Sequence, residues 1–197
     1  MGNLQMDNKD AANLRDGAGA EALPPCADEL VERNRRCAAD VRTPGMAAAP
    51  SRRVAVVTCM DARIDPIAAL GLSIGEAHVI RNAGGVVTDD VIRSLCISQQ
   101  LLGTREVLVI HHTGCGMCGL DATAFSDELH QRLGARPPWP IGSFTDAAQD
   151  VRSSLAALCA SPFIEHDTAI RGFVYDVETG LLHEVAPAAR QESTVQR

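Results

Sequence analysis

Two short stretches decide how this chain is read: Thr58-Cys59-Met60-Asp61-Ala62-Arg63 and His111-His112-Thr113-Gly114-Cys115-Gly116. Each follows a short apolar run, Val54-Ala55-Val56-Val57 and Val107-Leu108-Val109-Ile110. These runs are β-branched, uncharged and too short for typical helices, so they read as buried parallel strands. The cysteines and histidines therefore fall just past the carboxyl ends of two strands. In an open α/β sheet that edge is where ligands bind, most often where the strand order reverses. Two thiols and an imidazole gathered there form a soft nitrogen-and-sulfur donor set, for which zinc is the first choice.

Working outward, the core alternates strand and helix. Val54 to Thr58 is the first strand, Pro66 to Leu70 a short helix, and Ala77 to Arg81 the second strand. Asn82-Ala83-Gly84-Gly85 is a turn whose glycines permit positive φ or close backbone approach. Asp89 to Leu102 is an amphipathic helix carrying Val91, Leu95 and Leu102 on one face, with Gly103 at its end. Glu106 to His111 is the third strand. Helices are expected over Asp121 to Leu133 and Thr145 to Leu158, separated by the stiff Arg136-Pro137-Pro138-Trp139-Pro140 loop. Ile170 to Val177 and Leu181 to Val185 flank the turn Glu178-Thr179-Gly180 as a hairpin. The fold class is α/β: a mostly parallel central sheet flanked by helices, ending in an antiparallel hairpin strand.

The flanks differ. Residues 1–25 are rich in Asn, Asp, Gly and Ala and end in Pro24-Pro25, the composition of a disordered tail. Residues 26–50 hold a helix over Ala27 to Val41 and a connector. The apolar stripe Leu30, Cys37 and Val41 is too thin for an isolated helix, so it is expected to pack on the domain or on a second subunit. Residues 51–187 form the catalytic domain and 188–197 a polar tail.

Of the 197 residues, 46% are hydrophobic and 22% charged, an ordinary globular balance for one domain with a real core. The formal charge is −7, with seventeen arginines and a single lysine, Lys9. An acidic chain without a basic run argues against nucleic acid as a partner. No apolar run approaches the roughly 20 residues of a membrane helix, and the first residues lack the pattern of an export signal. The expected location is the cytoplasm. The seven cysteines are odd in number and scattered, unlike a disulfide scaffold; in a reducing compartment clustered Cys and His favour metal or catalysis.

Cys59, His112 and Cys115 supply the three protein ligands of a catalytic zinc site, leaving a position open for water. Zinc lowers the pKa of bound water to around 7, so a hydroxide can form there. Spacing alone leaves the alternative that these cysteines are ordinary core residues. Neighbouring strand residues face opposite ways, so only one of His111 and His112 should meet a metal. The His-x-x-Cys spacing suits a tight turn and favours His112, leaving His111 a hydrogen-bonded structural role. Cys115-Gly116-Met117-Cys118 has the form of a redox Cys-x-x-Cys, a reading that leaves Cys59 and His112 unexplained. Asp61 and Arg63 lie two apart, on one side of an extended segment, where a guanidinium fork keeps a carboxylate ionised and aimed.

Cys-x-Asp-x-Arg, then Arg81-Asn82-Ala83-Gly84-Gly85, then His-x-x-Cys-Gly: this ordered series resembles the β-class carbonic anhydrases, and most nearly their small bacterial branch. The stretches His78 to Gly84, Leu101 to Glu106 and Arg171 to Asp176 are similar as well, so the resemblance covers about residues 50 to 187. It implies Cys59, His112 and Cys115 as ligands of Zn2+, and Asp61 with Arg63 as the catalytic pair. It further implies reversible hydration of carbon dioxide to bicarbonate and a proton by zinc hydroxide, in a homodimer or a tetramer. One departure stands out: relatives usually carry Asp where this chain has Gly114, which removes an acceptor beside the ligands. Two rival functions accompany the resemblance, hydrolysis of carbon disulfide or carbonyl sulfide at the same site, and non-catalytic zinc binding or bicarbonate sensing.

Overall fold

The computed structural model describes residues 26–38, 40, 43, 45–165 and 168–186. The expected terminal tails and Val41 lie outside the described residues. Two compact units separate, one ending at Met46 and the other beginning at Ala47. In the first, helix α1 (Ala27–Cys37) carries Asp28 and Glu29 in its first turn and Arg35 and Arg36 in its last, each sign matched to the helix dipole. It buries none of its residues.

The second unit is built on five strands: β1 (Val54–Cys59), β2 (Ala77–Asn82), β3 (Glu106–His112), β4 (Ala169–Tyr175) and β5 (Leu182–Val185). Their order across the sheet is β2-β1-β3-β4-β5. The first four pair in parallel and β5 is antiparallel to β4. The helices are α2 (Pro66–Ala69), α3 (Asp89–Leu102), α4 (Ala122–Leu133) and α5 (Ala147–Ala160). Asp65, Thr88, Asp121 and Asp146 cap their N-termini with side-chain oxygens that accept backbone N–H bonds. Gly103 and Gly134 close α3 and α4 in the left-handed conformation.

Burial explains the apolar runs. Ala55 and Val57 of β1 and Val107 and Val109 of β3 are fully buried against Val91 and Leu95 of α3 and Val151, Leu155 and Leu158 of α5. On the other side, Val56, Ile110 and Phe173 form a second cluster with Leu70, Leu108 and Leu182. A strand buried on both faces shows no alternation, which is why β1 reads as a continuous run. Gly172 marks where α5 lies closest to the sheet: a Cβ there would stand 2.3 Å from Val151 Cγ1.

The chain moves from β1 outward to β2, then returns to place β3 on the other flank of β1. The strand order thus reverses between β1 and β3, and their carboxyl ends open onto a shared crevice. Cys59 is the last residue of β1 and His112 the last of β3, so both lie on the strand termini rather than past them.

Candidate metal centre

Cys59, His112 and Cys115 converge at that crevice. Their donor atoms all lie within 4.8 Å of one another, and all three residues are buried. The two sulfurs stand 3.9 Å apart. A tetrahedral ion with zinc–sulfur bonds of about 2.3 Å sets its two sulfurs ~3.8 Å apart, so the spacing suits zinc. His112 supplies a second test. Its Nδ1–H donates to the Thr113 carbonyl at 3.0 Å, which leaves Nε2 as the bare lone pair. That Nε2 is buried and has no hydrogen-bond partner, the condition of a nitrogen that awaits a metal. The donor set and the orphaned nitrogen both fit.

The two thiols lie within hydrogen-bond reach of each other. The Cys59 thiol is lowered from its ordinary value, chiefly by its hydrogen bond with Cys115, with the Asp61 and Gly84 backbone N–H groups adding to it. Cys115 is raised, first by that same bond to Cys59 and then by burial. Backbone N–H groups of Asp61 and Gly84 are aimed at the Cys59 sulfur.

Asp61 and Arg63 meet as the spacing expects, by a different route. The segment is a turn rather than extended chain. The Arg63 backbone N–H donates to Asp61 Oδ1 at 2.9 Å, closing the turn on the carboxylate. The guanidinium then grips both oxygens, Nε to Oδ1 at 2.9 Å and Nη2 to Oδ2 at 2.7 Å. The Arg63 hydrogen bond holds the carboxyl down to about 2. Asp61 Oδ2 lies 3.7 Å from His112 Nε2, so the ionised carboxylate borders the donor cluster.

Arg63 Nη2 also donates to the Gly114 carbonyl at 2.8 Å. Position 114 thus contributes its main-chain carbonyl, which any residue there would present, and its φ of +63° is one that glycine adopts freely. His111 turns away from the cluster: its Nε2 pairs with Asp150 of α5 at 2.8 Å and its ring tilts against Phe144 at 5.2 Å. Cys118 donates to the Thr145 carbonyl, so the sulfur facing Cys115 is that of Cys59. Three supporting groups escaped the sequence reading: Asp150, the Thr113 carbonyl, and Arg81, whose guanidinium bonds the carbonyls of Cys59 and Asp61. The Arg81-Asn82-Ala83-Gly84-Gly85 motif singles out Arg81 without a role; its contacts follow from strand register, since it sits on β2 level with Thr58.

Val86 packs against the cluster formed by Cys59, Ile64, Cys115 and Phe144 and also lines a cavity of about 660 Å³ shared with Asn82, Val87, Trp139, Ile141 and Asp150. The walls are mainly apolar.

Known proteins agree with this architecture. The family described as carbonic anhydrase matches residues 54–138. The β-carbonic anhydrase 1 of Mycobacterium tuberculosis is 54% identical over 138 residues, covering 70% of this chain and 85% of that protein. A carbonic anhydrase from Streptococcus mutans superposes with a TM-score of 0.79 at 42% identity, covering 83% of this chain and 99% of the other. A carbon disulfide hydrolase of Acidithiobacillus thiooxidans is more distant, 32% identical over 167 residues, with 72% of this chain and 76% of that one covered. By sequence, by fold and by a Cys-His-Cys cluster at the switch point, this enzyme belongs to the β-class carbonic anhydrases.

Proposed function

We propose that this chain catalyses the zinc-dependent, reversible hydration of carbon dioxide to bicarbonate and a proton. The observation that carries the reading is the buried Cys59-His112-Cys115 cluster with an unpartnered His112 Nε2 directed at it. Cys59, His112 and Cys115 would hold the ion. Zinc bound there supplies Lewis acidity and brings the ionisation of water near neutral pH.

The protein residues set the geometry around it. Asp61 stays ionised and presents an acceptor for the proton of an entering water, while Arg63 keeps it aimed and tied back. The apolar walls around Val86 and Ile141 suit an uncharged gas better than a charged substrate. The 54% identity to a β-carbonic anhydrase, against 32% to a carbon disulfide hydrolase, favours carbon dioxide over the sulfur analogue. The intact Asp61–Arg63 pair favours catalysis over a sensing role. Among the described residues no helix is long and apolar enough to cross a membrane. A cytoplasmic homodimer, with tetramer as the larger form, completes the reading.

The test joins metal analysis with stopped-flow hydration of carbon dioxide. The purified protein should carry one zinc per chain and turn over; Cys59→Ala, His112→Ala and Cys115→Ala should each lose most of the metal and the activity. Full zinc and turnover in the His112→Ala protein would overturn the ligand set, and turnover of carbon disulfide but not carbon dioxide would overturn the substrate.

A further inference from the structure

The loop from Cys59 to Arg63 has little apolar anchorage. Met60 is 64% exposed, and the Arg63 side chain is 51% exposed. Polar contacts must therefore hold its shape. Arg63 holds one side, gripping the Asp61 carboxylate and the Gly114 carbonyl.

Arg81 holds the other side. It lies on β2 in register with Thr58, one residue short of the metal-facing end of β1. Its side chain reaches along the strand, and Nε donates to the Cys59 carbonyl at 2.9 Å while Nη2 donates to the Asp61 carbonyl at 2.7 Å. Between those carbonyls, the Met60 N–H donates to the Asn82 carbonyl at 2.8 Å. The guanidinium is planar and its Nε–Nη2 edge has fixed spacing, so two simultaneous bonds fix two peptide planes relative to each other. One plane follows the ligand Cys59 and the other follows Asp61. The intervening Asp61 N–H is one of the backbone groups, with that of Gly84, that face the Cys59 sulfur. A rotation of either plane would carry the sulfur or the carboxylate away from its place.

We propose that Arg81 is a positioning residue of the metal centre, clamping the main chain on both sides of Met60 so that Cys59 and Asp61 keep their placement. The inference rests on the reading of Cys59 as a zinc ligand. It acts through the backbone, and a lysine cannot replace it, because a single ammonium lacks the planar two-donor edge.

The test measures zinc affinity by competition with a chromophoric chelator, together with kcat and KM for carbon dioxide hydration. The proteins are wild type, Arg81→Ala, Arg81→Lys and Arg81→Gln. Loss of an outer contact of this kind weakens metal binding by about 10–100-fold. Arg81→Ala should show that loss, with a fall in kcat, an unchanged KM, and partial recovery of both affinity and kcat on adding millimolar guanidinium. Arg81→Lys should lose nearly as much as Arg81→Ala. Arg81→Gln, which keeps one neutral donor and disturbs the fold least, should fall between and serves if Arg81→Ala does not fold. Wild-type zinc affinity in Arg81→Ala or Arg81→Gln, full function in Arg81→Lys, or a deficit that guanidinium leaves untouched each overturn the clamp. A wild-type protein that binds no zinc instead overturns the ligand assignment, and the clamp with it.

Discussion

Gly85 offers a measurement that separates backbone strain from close packing. A Cβ at Gly85 would stand 2.8 Å from the Cys59 backbone nitrogen and 2.9 Å from the Thr58 carbonyl carbon. Both atoms belong to β1, which is buried and paired on both sides, so neither is free to retreat. Gly85 also sits at φ +71°. Gly103 has nearly the same φ, +74°, yet a Cβ there meets nothing within 4 Å. Gly103→Ala therefore carries only the left-handed penalty, about 1–2 kcal/mol. Gly85→Ala carries that penalty plus an overpacking cost of about 1–3 kcal/mol. The gain from stiffening the unfolded chain is common to both and cancels in the difference. With a urea m-value near ~2 kcal/mol/M, the midpoint of Gly85→Ala should lie roughly 0.5–1.5 M below that of Gly103→Ala. Both proteins are compared at equal concentration and equal zinc, since bound metal shifts the transition. Because the crowded atoms adjoin Cys59, zinc affinity should fall in Gly85→Ala and hold in Gly103→Ala. Equal midpoints for the two variants, or wild-type zinc affinity in Gly85→Ala, would refute the idea that the glycine turn presses on the ligand strand.

Arg63→Ala should keep zinc yet lose turnover by at least about 10²-fold, the usual cost of a misplaced reacting group, as read by metal content and stopped-flow hydration. Asp61 falls from 3.8 to about 2 in the folded chain, so its ion pair stabilises fully above 3.8, and that contribution is lost as pH drops toward about 2. Acid unfolding of Asp61→Asn should accordingly be flatter than that of wild type across this window, and the neutral-range pH profile of turnover should not trace to Asp61. Gly114→Asp, at φ +63°, is expected to cost about 1 kcal/mol in a melt, leave zinc content unchanged and raise hydration activity by adding a carboxylate beside the ligands. Helix α1 leaves Leu30 and Val31 about half exposed at 55% and 51%, and sedimentation of the dilute protein should show a dimer or larger rather than an active monomer.

Local pattern made the sheet legible. The runs at Val54 and Val107 are apolar because both faces of β1 and β3 are covered, and that burial is written into consecutive residues. The His-x-x-Cys turn and Cys59 were legible too, since spacing and strand-end position are local properties. What local pattern does not carry is which side chains meet across the topology. Asp150 reaches His111 across 39 positions, and Arg81 reaches Asp61 across 20, both through strand and helix placement. The Asp61–Arg63 contact was foreseen with the wrong backbone, because Asp61 accepts from the Arg63 N–H and so draws the segment into a turn. Helix α1 runs to Cys37, and the expected end at Val41 lies outside the described residues.

The distribution of unsatisfied polarity makes a separate case for where this fold does its work. Several buried polar side chains elsewhere are paired: Thr58 with the Ile110 carbonyl, Ser98 with Thr104, Gln99 with Thr168. Among the described residues, the buried side-chain atoms left without a partner are Asn82 Oδ1, His111 Nδ1 and His112 Nε2. All three belong to the final residues of β2 and β3, on the carboxyl edge where the strand order reverses. Each such atom costs about 1–3 kcal/mol while it stays unpaired. Among the described residues these three atoms therefore cluster beside the Cys59, His112 and Cys115 donors. For His112 Nε2, an ion held by Cys59, His112 and Cys115 would supply the missing partner and offset that cost on loading. Zinc should therefore act as a folding ligand of this chain, tied to the carboxyl edge of the sheet through the same two strands that the apolar runs first revealed.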